Sequence, residues 1–490
     1  MGDRHVPHMQ SAGSRLLRQM AGVALAAMLG GPLAAPAHAE NLSQALASAY
    51  RFNPRLDAAR ATMRATDEEV PRAISGFRPS VIGSADTSWE KTITNPASAA
   101  SGTSHPRGYG VQLSQPLFQG FRVVNTVREA EATVRAGRET LRTVEMGVLL
   151  EAVTAYMDVV RDQAIVRLRE NNVTVLTRDL RATQDRFNVG EVTRTDVAQA
   201  QARRAAAVSA LDLARANLKT SRATYERVVG HPPSNLAEPT ASTLVPKTLA
   251  GSIEISAREN PNVVAALYRE QAARHAVDRI RGELLPTLSL EAAHARRWDE
   301  TTGIDTIEDN TVTGRLTVPF ITNGEVQARL RQAKHTQISR IQEIEQARSE
   351  VQEQVVASWS QLDASKAQLE SDQTTVEANR IALVGVREEE RVGQRTLLDV
   401  LNAEQELLNS EVNLVTTRRN LVVASYTVLS SIGRLNAQEL AVSSVVYDPE
   451  KHYSEVRRKW FDTNITDRGG RAQTLEVVAP PPPGHPPARK

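Results

Sequence analysis

The sequence predicts a mostly α chain of long antiparallel coiled-coil helices, with four strands suited to a transmembrane β-barrel. Three observations predict it. One unit is written twice, its longest helices keep a 3.5-residue apolar repeat, and period-two segments separate helices within each copy. The duplication is direct. Asn53-Pro54-x-Leu56-x-Ala58-Ala59 returns as Asn260-Pro261-x-Val263-x-Ala265-Ala266, and Arg78-Pro79-Ser80-Val81 returns as Leu285-Pro286-Thr287-Leu288. Pro116-Leu117-Phe118 with Gly120 answers to Pro319-Phe320-Ile321 with Gly324, Val189-Gly190 with Asp196 to Val392-Gly393 with Asp399, and Gly230 to Gly433. The offset stays between 203 and 207 residues, so whole elements are duplicated in order.

The elements follow from the N-terminus. Arg15 and Arg18 precede an apolar stretch from Ala21 to Pro36 and the small-residue pattern Ala37-His38-Ala39, which reads as a secretory signal over 1–39 with the mature chain starting at Glu40. Residues 40–230 form the first repeat: a helix over about 41–73, two strands, a long helix over 122–188, a tip turn and a helix over about 193–229. A proline-bearing linker, 231–251, leads to the second repeat, 252–433, with helices over about 252–283, 325–389 and 396–433. Residues 434–465 pack around the middle of the helices, and the proline-rich 466–490 has no pattern that could bury a core.

The long-helix seam runs Val148, Ala152, Ala155, Val159, Asp162, Val166, Arg169, Val173, Leu176, with its counterpart from Val351 through Val355, Ser358, Leu362, Ser365 and Leu369 to Leu383. Steps alternate between four and three, the coiled-coil signature. A second stripe through Leu149, Val153, Tyr156 and Val160 gives each helix two neighbours, as in a wall. At 1.5 Å per residue such a helix is a rod on the order of 100 Å long. Two short helices laid end to end match it.

The strands alternate. Tyr109, Val111, Leu113 and Leu117 face away from Gly110, Gln112, Ser114 and Pro116; Leu288, Leu290 and Ala292 alternate with polar residues, as do Val312, Leu316 and Val318. Phe77, Phe118, Phe121 and Phe320 lie at one end and Trp89 and Trp298 near the other, where interfacial aromatics belong. Four strands leave open edges that lipid does not tolerate, so the chain must oligomerise to close a barrel. The loops 93–107 and 299–311, the latter with Asp299, Glu300, Asp305, Glu308 and Asp309, read as solvated hairpin connections.

Composition excludes several functions. The chain has no cysteine, so a disulfide, a thiolate metal site and a lipid-bearing N-terminal cysteine are out. It has 59 basic and 57 acidic side chains; losing Arg4, Arg15, Arg18 and Asp3 with the signal leaves the mature chain formally neutral, which removes the electrostatic case for nucleic acid. The mature histidines are scattered, and no metalloprotease, P-loop or nucleophile-elbow pattern occurs. No enzyme, cofactor or metal is expected.

From Asn41 to about Trp460 the chain resembles the TolC family of outer-membrane channel-tunnels. The duplicated helix, hairpin, long helix, short helix order carries the resemblance, with the two Asn-Pro pairs and Val392-Gly393-Gln394-Arg395-Thr396-Leu397-Leu398-Asp399-Val400-Leu401-Asn402-Ala403. Tyr447-Asp448-Pro449-Glu450-Lys451-His452-Tyr453 through Trp460 looks like the tail of members paired with type I secretion systems. The resemblance implies a homotrimer with a 12-stranded barrel in outer-membrane lipid and a helical tunnel in the periplasm. It implies a periplasmic adaptor and an inner-membrane ABC or proton-driven transporter as partners. Type I protein secretion is the favoured reading and multidrug efflux the alternative. A structural or adhesive trimeric coiled coil is the reading from another class, but it needs neither a duplication nor mid-helix Gly-Asp turns.

Gly190 and Gly393 break the long helices where a turn needs positive φ. Thr193 or Thr195, and Thr396, are candidate N-caps, and Asp196 and Asp399 sit in the first turns that follow. Capping alone accounts for both aspartates. The resemblance adds a gate of Asp399, Asn402, Arg395, Asp196 and Thr195, with three copies of Asp399 in a ring at the narrow end. Such a ring favours cations and raises the members' apparent pKa. Family members commonly carry a second acid where this chain has Asn402, and a tyrosine where it has Glu390. Arg395 to Asp196 is the expected closing contact. Val189, Gly190, Val392, Gly393, Gln394, Arg395, Thr396 and Leu397 form the expected adaptor-docking tip.

Overall fold

The computed structural model describes residues 39–95, 101–301, 304–442 and 446–465; the expected signal and the proline-rich tail lie outside them. The first copy comprises α1 (Leu42–Phe52), α2 (Pro54–Asp67), α3 (Glu69–Ile74), β1 (Ser80–Thr87), β2 (Glu90–Thr92), β3 (Gly102–Ser104), β4 (Arg107–Gln119), α4 (Arg122–Asn188) and α5 (Arg194–Val229). The second comprises α6 (Leu249–Glu259), α7 (Pro261–Arg281), β5 (Thr287–Thr301), β6 (Ile304–Thr317), α8 (Glu325–Arg391) and α9 (Leu397–Ser431); α10 (Pro449–Val456) follows. The expected class holds: mostly α, with one four-stranded antiparallel sheet in the order β1-β4-β5-β6 and a small β2-β3 hairpin beyond it. No helix among the described residues is long and apolar enough to cross a membrane.

Two sequence expectations need correction. The single helix over 41–73 is three helices, and that over 252–283 is two. α2 and α3 part at Glu68; Asn53 and Asn260 cause the first break in each copy. Each accepts from the amide two residues on (Arg55 N, 3.0 Å; Asn262 N, 2.9 Å) and so caps α2 or α7, whose first residue is proline. The same side chains donate to Val228 O (3.0 Å) and Ser431 O (2.8 Å), clasping the last turns of α5 and α9. This double duty is why the Asn-Pro pair occurs in both copies.

The second correction concerns the loop 299–311. It is mostly strand, since β6 begins at Ile304. Apolar alternation ends where the strands leave the apolar layer, but backbone pairing persists: Arg296 stays opposite Glu308 and Arg297 opposite Ile307. Part of the other loop likewise forms β3.

Register assigns the two faces of the sheet. Val81, Leu113, Ala292 and Val312 are in line across the four strands, with Val111, Leu288, Leu290 and Leu316 on the same side. Ser114, Glu291 and Thr313 line the other side, where Arg315 binds Glu291 at 3.2 Å. Among the described residues of one chain the apolar side is bare: Val312 is 77% exposed and Val81 66%. An ordinary soluble sheet buries that face; this one leaves it for lipid.

The helices form a curved wall in matching order. The upper part of α4 lies between α2 and α7 and the lower part between α5 and α9, and α8 packs on α7 and α9. Seam positions Val148, Ala152, Ala155, Val159, Val351, Val355 and Leu362 are buried. The seam's two acids are also buried, and each takes a hydroxyl hydrogen bond from the neighbouring helix, Asp162 from Ser221 and Asp372 from Thr417 (2.6 Å). Both wall and sheet end in unpartnered edges, with Ile381 and Val384 of α8 mostly exposed.

The main core sits at mid-height. Tyr156 and Tyr225 are fully buried there; the Tyr225 hydroxyl donates to Glu40 Oε1 at 2.8 Å, and the Tyr156 hydroxyl lies 2.6 Å from Ala237 O. Arg60, 2% exposed, binds Asp57 (2.8 Å) and stacks over Tyr50 and Tyr447. The tail closes over this level: His452 meets buried Asp67 at 2.9 Å, Glu450 meets Arg138 (2.7 Å) and Arg457 meets Glu131 (2.9 Å).

At the root of the sheet, two backbones touch. A Cβ on Gly120 (φ +59°) would lie 2.2 Å from Gly282 O, and one on Gly282 would lie 2.3 Å from Gly120 O. Gly120→Ala should cost about 1–3 kcal/mol or more through combined strain and clash. Thermal unfolding of the folded protein reads it, and an unchanged midpoint would show that the joint opens without cost.

Candidate functional site: the hairpin ends of the helices

The two hairpin ends are built by the same local code. In the first, Gly190 (φ +84°) follows α4, Gly190 N bonds Phe187 O (3.0 Å) and Glu191 N bonds Arg186 O (2.9 Å). In the second, Gly393 (φ +79°) follows α8, with Gly393 N to Glu390 O (2.9 Å) and Gln394 N to Glu389 O (2.8 Å). These are Schellman closures, which place glycine where an L side chain would strain.

Capping boxes start the return helices. Thr193, rather than Thr195, caps α5; Asp196 Oδ2 accepts from Thr193 N and Oγ1, both at 2.8 Å. Thr396 caps α9, and Asp399 Oδ2 accepts from Thr396 N (3.0 Å) and Oγ1 (2.8 Å). Those bonds, with Arg395 nearby, hold the Asp399 carboxyl below the usual aspartate range. In one protomer the capping role therefore favours the charged form of Asp399, opposite in sign to the shift expected of a ring.

Within the protomer Arg395 pairs with Glu389 (2.9 Å), and Asp196 is engaged by its cap, so the expected Arg395 to Asp196 contact is not made inside one chain. Other pairs join the hairpins. Arg186 on α4 binds Glu390 on α8 at 2.8 Å, and Arg203 on α5 binds Asn402 on α9 at 2.7 Å. Glu390, where the resemblance expected a tyrosine, thus carries an ionic link, and Asn402 accepts from a cation. Val189 and Val392 stand out at the two ends, 73% and 70% exposed, while Leu397 packs inward on Leu176, Ala207 and Leu401.

One further group at this end has no counterpart among the sequence expectations. Glu404 on α9 is buried and held by Arg387 of α8, beside Asp179 of α4. Asp179 Oδ2 and Glu404 Oε2 are buried without a donor. Burial first, then the Glu404 charge, pushes the Asp179 carboxyl up to about 6. Its sequence signal was an acid within the stripe Val400, Leu401, Glu404, Leu408.

The sign follows from linkage. Asp179 titrates higher in the folded chain than free, so its stabilising contribution is complete below the ordinary aspartate range and is lost as pH rises through about 6. The hairpins should hold together more tightly at acid pH. Asp179→Asn should abolish the pH dependence between about 4 and 6 and leave the end better protected at pH 7. Amide hydrogen exchange over 180–195, corrected for intrinsic rates, measures this; an Asn variant with wild-type pH dependence would exclude the pair as its source.

Comparison with known proteins shows the family. Residues 42–231 and 253–434 each match the family described as outer membrane efflux protein. The outer membrane efflux protein BepC of Brucella suis is 38% identical over 449 residues, covering 91% of this chain and 97% of that protein. TolC of Escherichia coli is 26% identical, over 82% of this chain and 84% of its own length. The alkaline protease secretion protein AprF of Pseudomonas aeruginosa is also 26% identical, over 66% and 68% respectively. Among solved structures, the Campylobacter jejuni CmeC outer membrane channel superposes with a TM-score of 0.73 at 17% identity, over 86% of this chain and 89% of its own, a likeness of fold. With both repeats matched and the sheet, wall and hairpin ends in place, the chain belongs to the outer membrane efflux protein family and is a TolC-type outer-membrane channel rather than an enzyme.

Proposed function

We propose that three copies of this chain form a passive exit duct for an inner-membrane transporter, entered at the hairpin ends and leaving through the barrel. The observation that carries the reading is that sheet and helix wall end in open edges in the same order, so one closure satisfies both. Three copies of four strands make 12, enough to enclose a lumen lined by the Glu291 and Arg315 face.

At the tip, Val189, Gly190, Val392, Gly393, Gln394, Arg395 and Thr396 form the surface for a periplasmic adaptor, supported from beneath by Leu397. Asp399, Asn402, Arg395, Asp196 and Thr195 line the gate. Arg395 and Asp196 act between copies, whereas Arg186–Glu390 and Arg203–Asn402 hold the hairpins of one copy together. With Asn402 neutral and tied to Arg203, the Asp399 ring carries one acid per copy at that level and binds cations weakly.

The cargo we favour is protein exported by a type I system. The Tyr447 to Trp460 segment that carries this resemblance packs on α1, α2 and α4 as an integral part of the wall, and AprF is named for protease secretion. The similarity to BepC supports efflux of small molecules as a second reading.

Two experiments test these roles. A single cysteine at Gln394 in this cysteine-free chain, crosslinked in intact cells, should capture an adaptor. A co-purifying ABC transporter would point to secretion and a proton-driven pump to efflux; an intact trimer that captures nothing would overturn tip docking. Arg186→Ala should raise resting single-channel conductance several-fold at neutral pH, and unchanged conductance would show that this link does not hold the gate.

A further inference from the structure

The C-terminal segment reaches further than mid-height. Arg78, two residues before β1, donates to Lys459 O at 2.9 Å and stacks over Trp460 at 5.1 Å. Trp460 lies flat against Phe461, with centroids 4.9 Å apart and planes 10° apart, yet Phe461 is 84% exposed. A second bare patch follows β6 at the other edge of the sheet, where Phe320 is 91% and Ile321 88% exposed.

The internal repeat relates the two patches. Ile321 answers to Phe118, and Phe118 is covered edge-on by Phe121 at 5.2 Å. In the structure Gly324 stands at the left-handed N-cap of α8, the place Phe121 holds before α4, so Ile321 lacks that cover. Inside the chain β4 pairs with β5, with Phe118 opposite Leu288 and Pro116 opposite Ser289. The counterparts of Leu288 and Ser289 are Val81 and Ile82 on β1. If neighbouring copies pair β6 with β1 as β4 pairs with β5, Ile321 of the partner subunit arrives opposite Val81, three residues from Arg78.

The sides agree as well. Val81 and Leu288 are on the apolar face of the sheet. The tail lies on the face of the wall away from a cavity of about 690 Å³. It binds α4 through Glu131 and Arg138, on the helix face opposite Thr133, Gly137 and Thr140, which line that cavity with Thr336 of α8.

We infer that Trp460 and Phe461 are an inter-subunit clasp: the tail of each copy covers Phe320 and Ile321 of the partner subunit where the barrel meets the tunnel. A second copy of this chain is the occupant of the patch, and the inference rests on the three-copy duct. The clasp ties barrel closure to the mid-height core, because the same tail is anchored there by His452 and Tyr447.

The test uses the full chain in detergent and in phospholipid vesicles, with light scattering to establish the oligomer independently. Phe320→Cys with Trp460→Cys, and separately Ile321→Cys with Phe461→Cys, should give covalently linked trimers with a short bismaleimide, while each single variant stays monomeric on a denaturing gel. A variant with Trp460 as its sole tryptophan should be quenched weakly by brominated phospholipid. An intact trimer with neither pair crosslinked and Trp460 strongly quenched would overturn the clasp and make these rings a lipid anchor. Absence of a trimer in the unmodified chain would overturn the duct reading itself, and the clasp with it.

Discussion

Backbone N–H and C=O groups in hydrocarbon have no water to bond, and each left unpaired costs several kcal/mol. This one requirement organises the molecule. β1 and β6 are the edges of the four-stranded sheet, and each carries a bare apolar stretch, Val81 on one and Val312 and Leu316 on the other. Their apolar faces are bare, and α8 likewise shows apolar residues with no neighbour. A fold with such edges is incomplete as one chain and complete only when the pattern repeats around an axis. The order β1-β4-β5-β6 above and α2, α4, α7, α8 below lets the same repeat serve both layers.

Because the barrel and the helix wall share an axis, their junction must be exact, and the chain spends its special residues there. Gly120 and Gly282 let two backbones touch at the strand roots. One level down, Asn53 and Asn260 start one helix and finish another with a single side chain, and the fully buried Arg60, Tyr156 and Tyr225 find polar partners. Buried polar groups of this kind fix a unique arrangement, since any slip leaves them unpaired. The lower hairpins lack such a core. Small clusters around Leu176 and Leu211 and solvent-facing ion pairs hold them, so this end is the less firmly tied.

The Asp179, Glu404 and Arg387 group sets this end apart further. Arg387 holds the buried Glu404, and the half-buried Asp179 beside it is pushed up by burial and by the Glu404 charge. The stability of this end therefore falls as pH rises through about 6.

The sequence by itself determined the repeat, the order of elements, the long helices, the glycine turns and the capping aspartates. Each is encoded locally, through periodicity, positive φ or a side chain that bonds its own backbone three residues away. It also exposed the four-strand shortfall, since that is counting. Tertiary structure decided what depends on facing partners. Only the fold placed Glu390 beside Arg186, Asn402 beside Arg203 and Glu404 beside Asp179, and only it turned Arg395 toward Glu389. Strand lengths beyond the apolar layer were illegible for a related reason: backbone pairing continues there with no side-chain pattern to mark it. Charges on helix surfaces carry no address in the sequence. Their partners are set by which helices the wall brings together, and that is a property of packing.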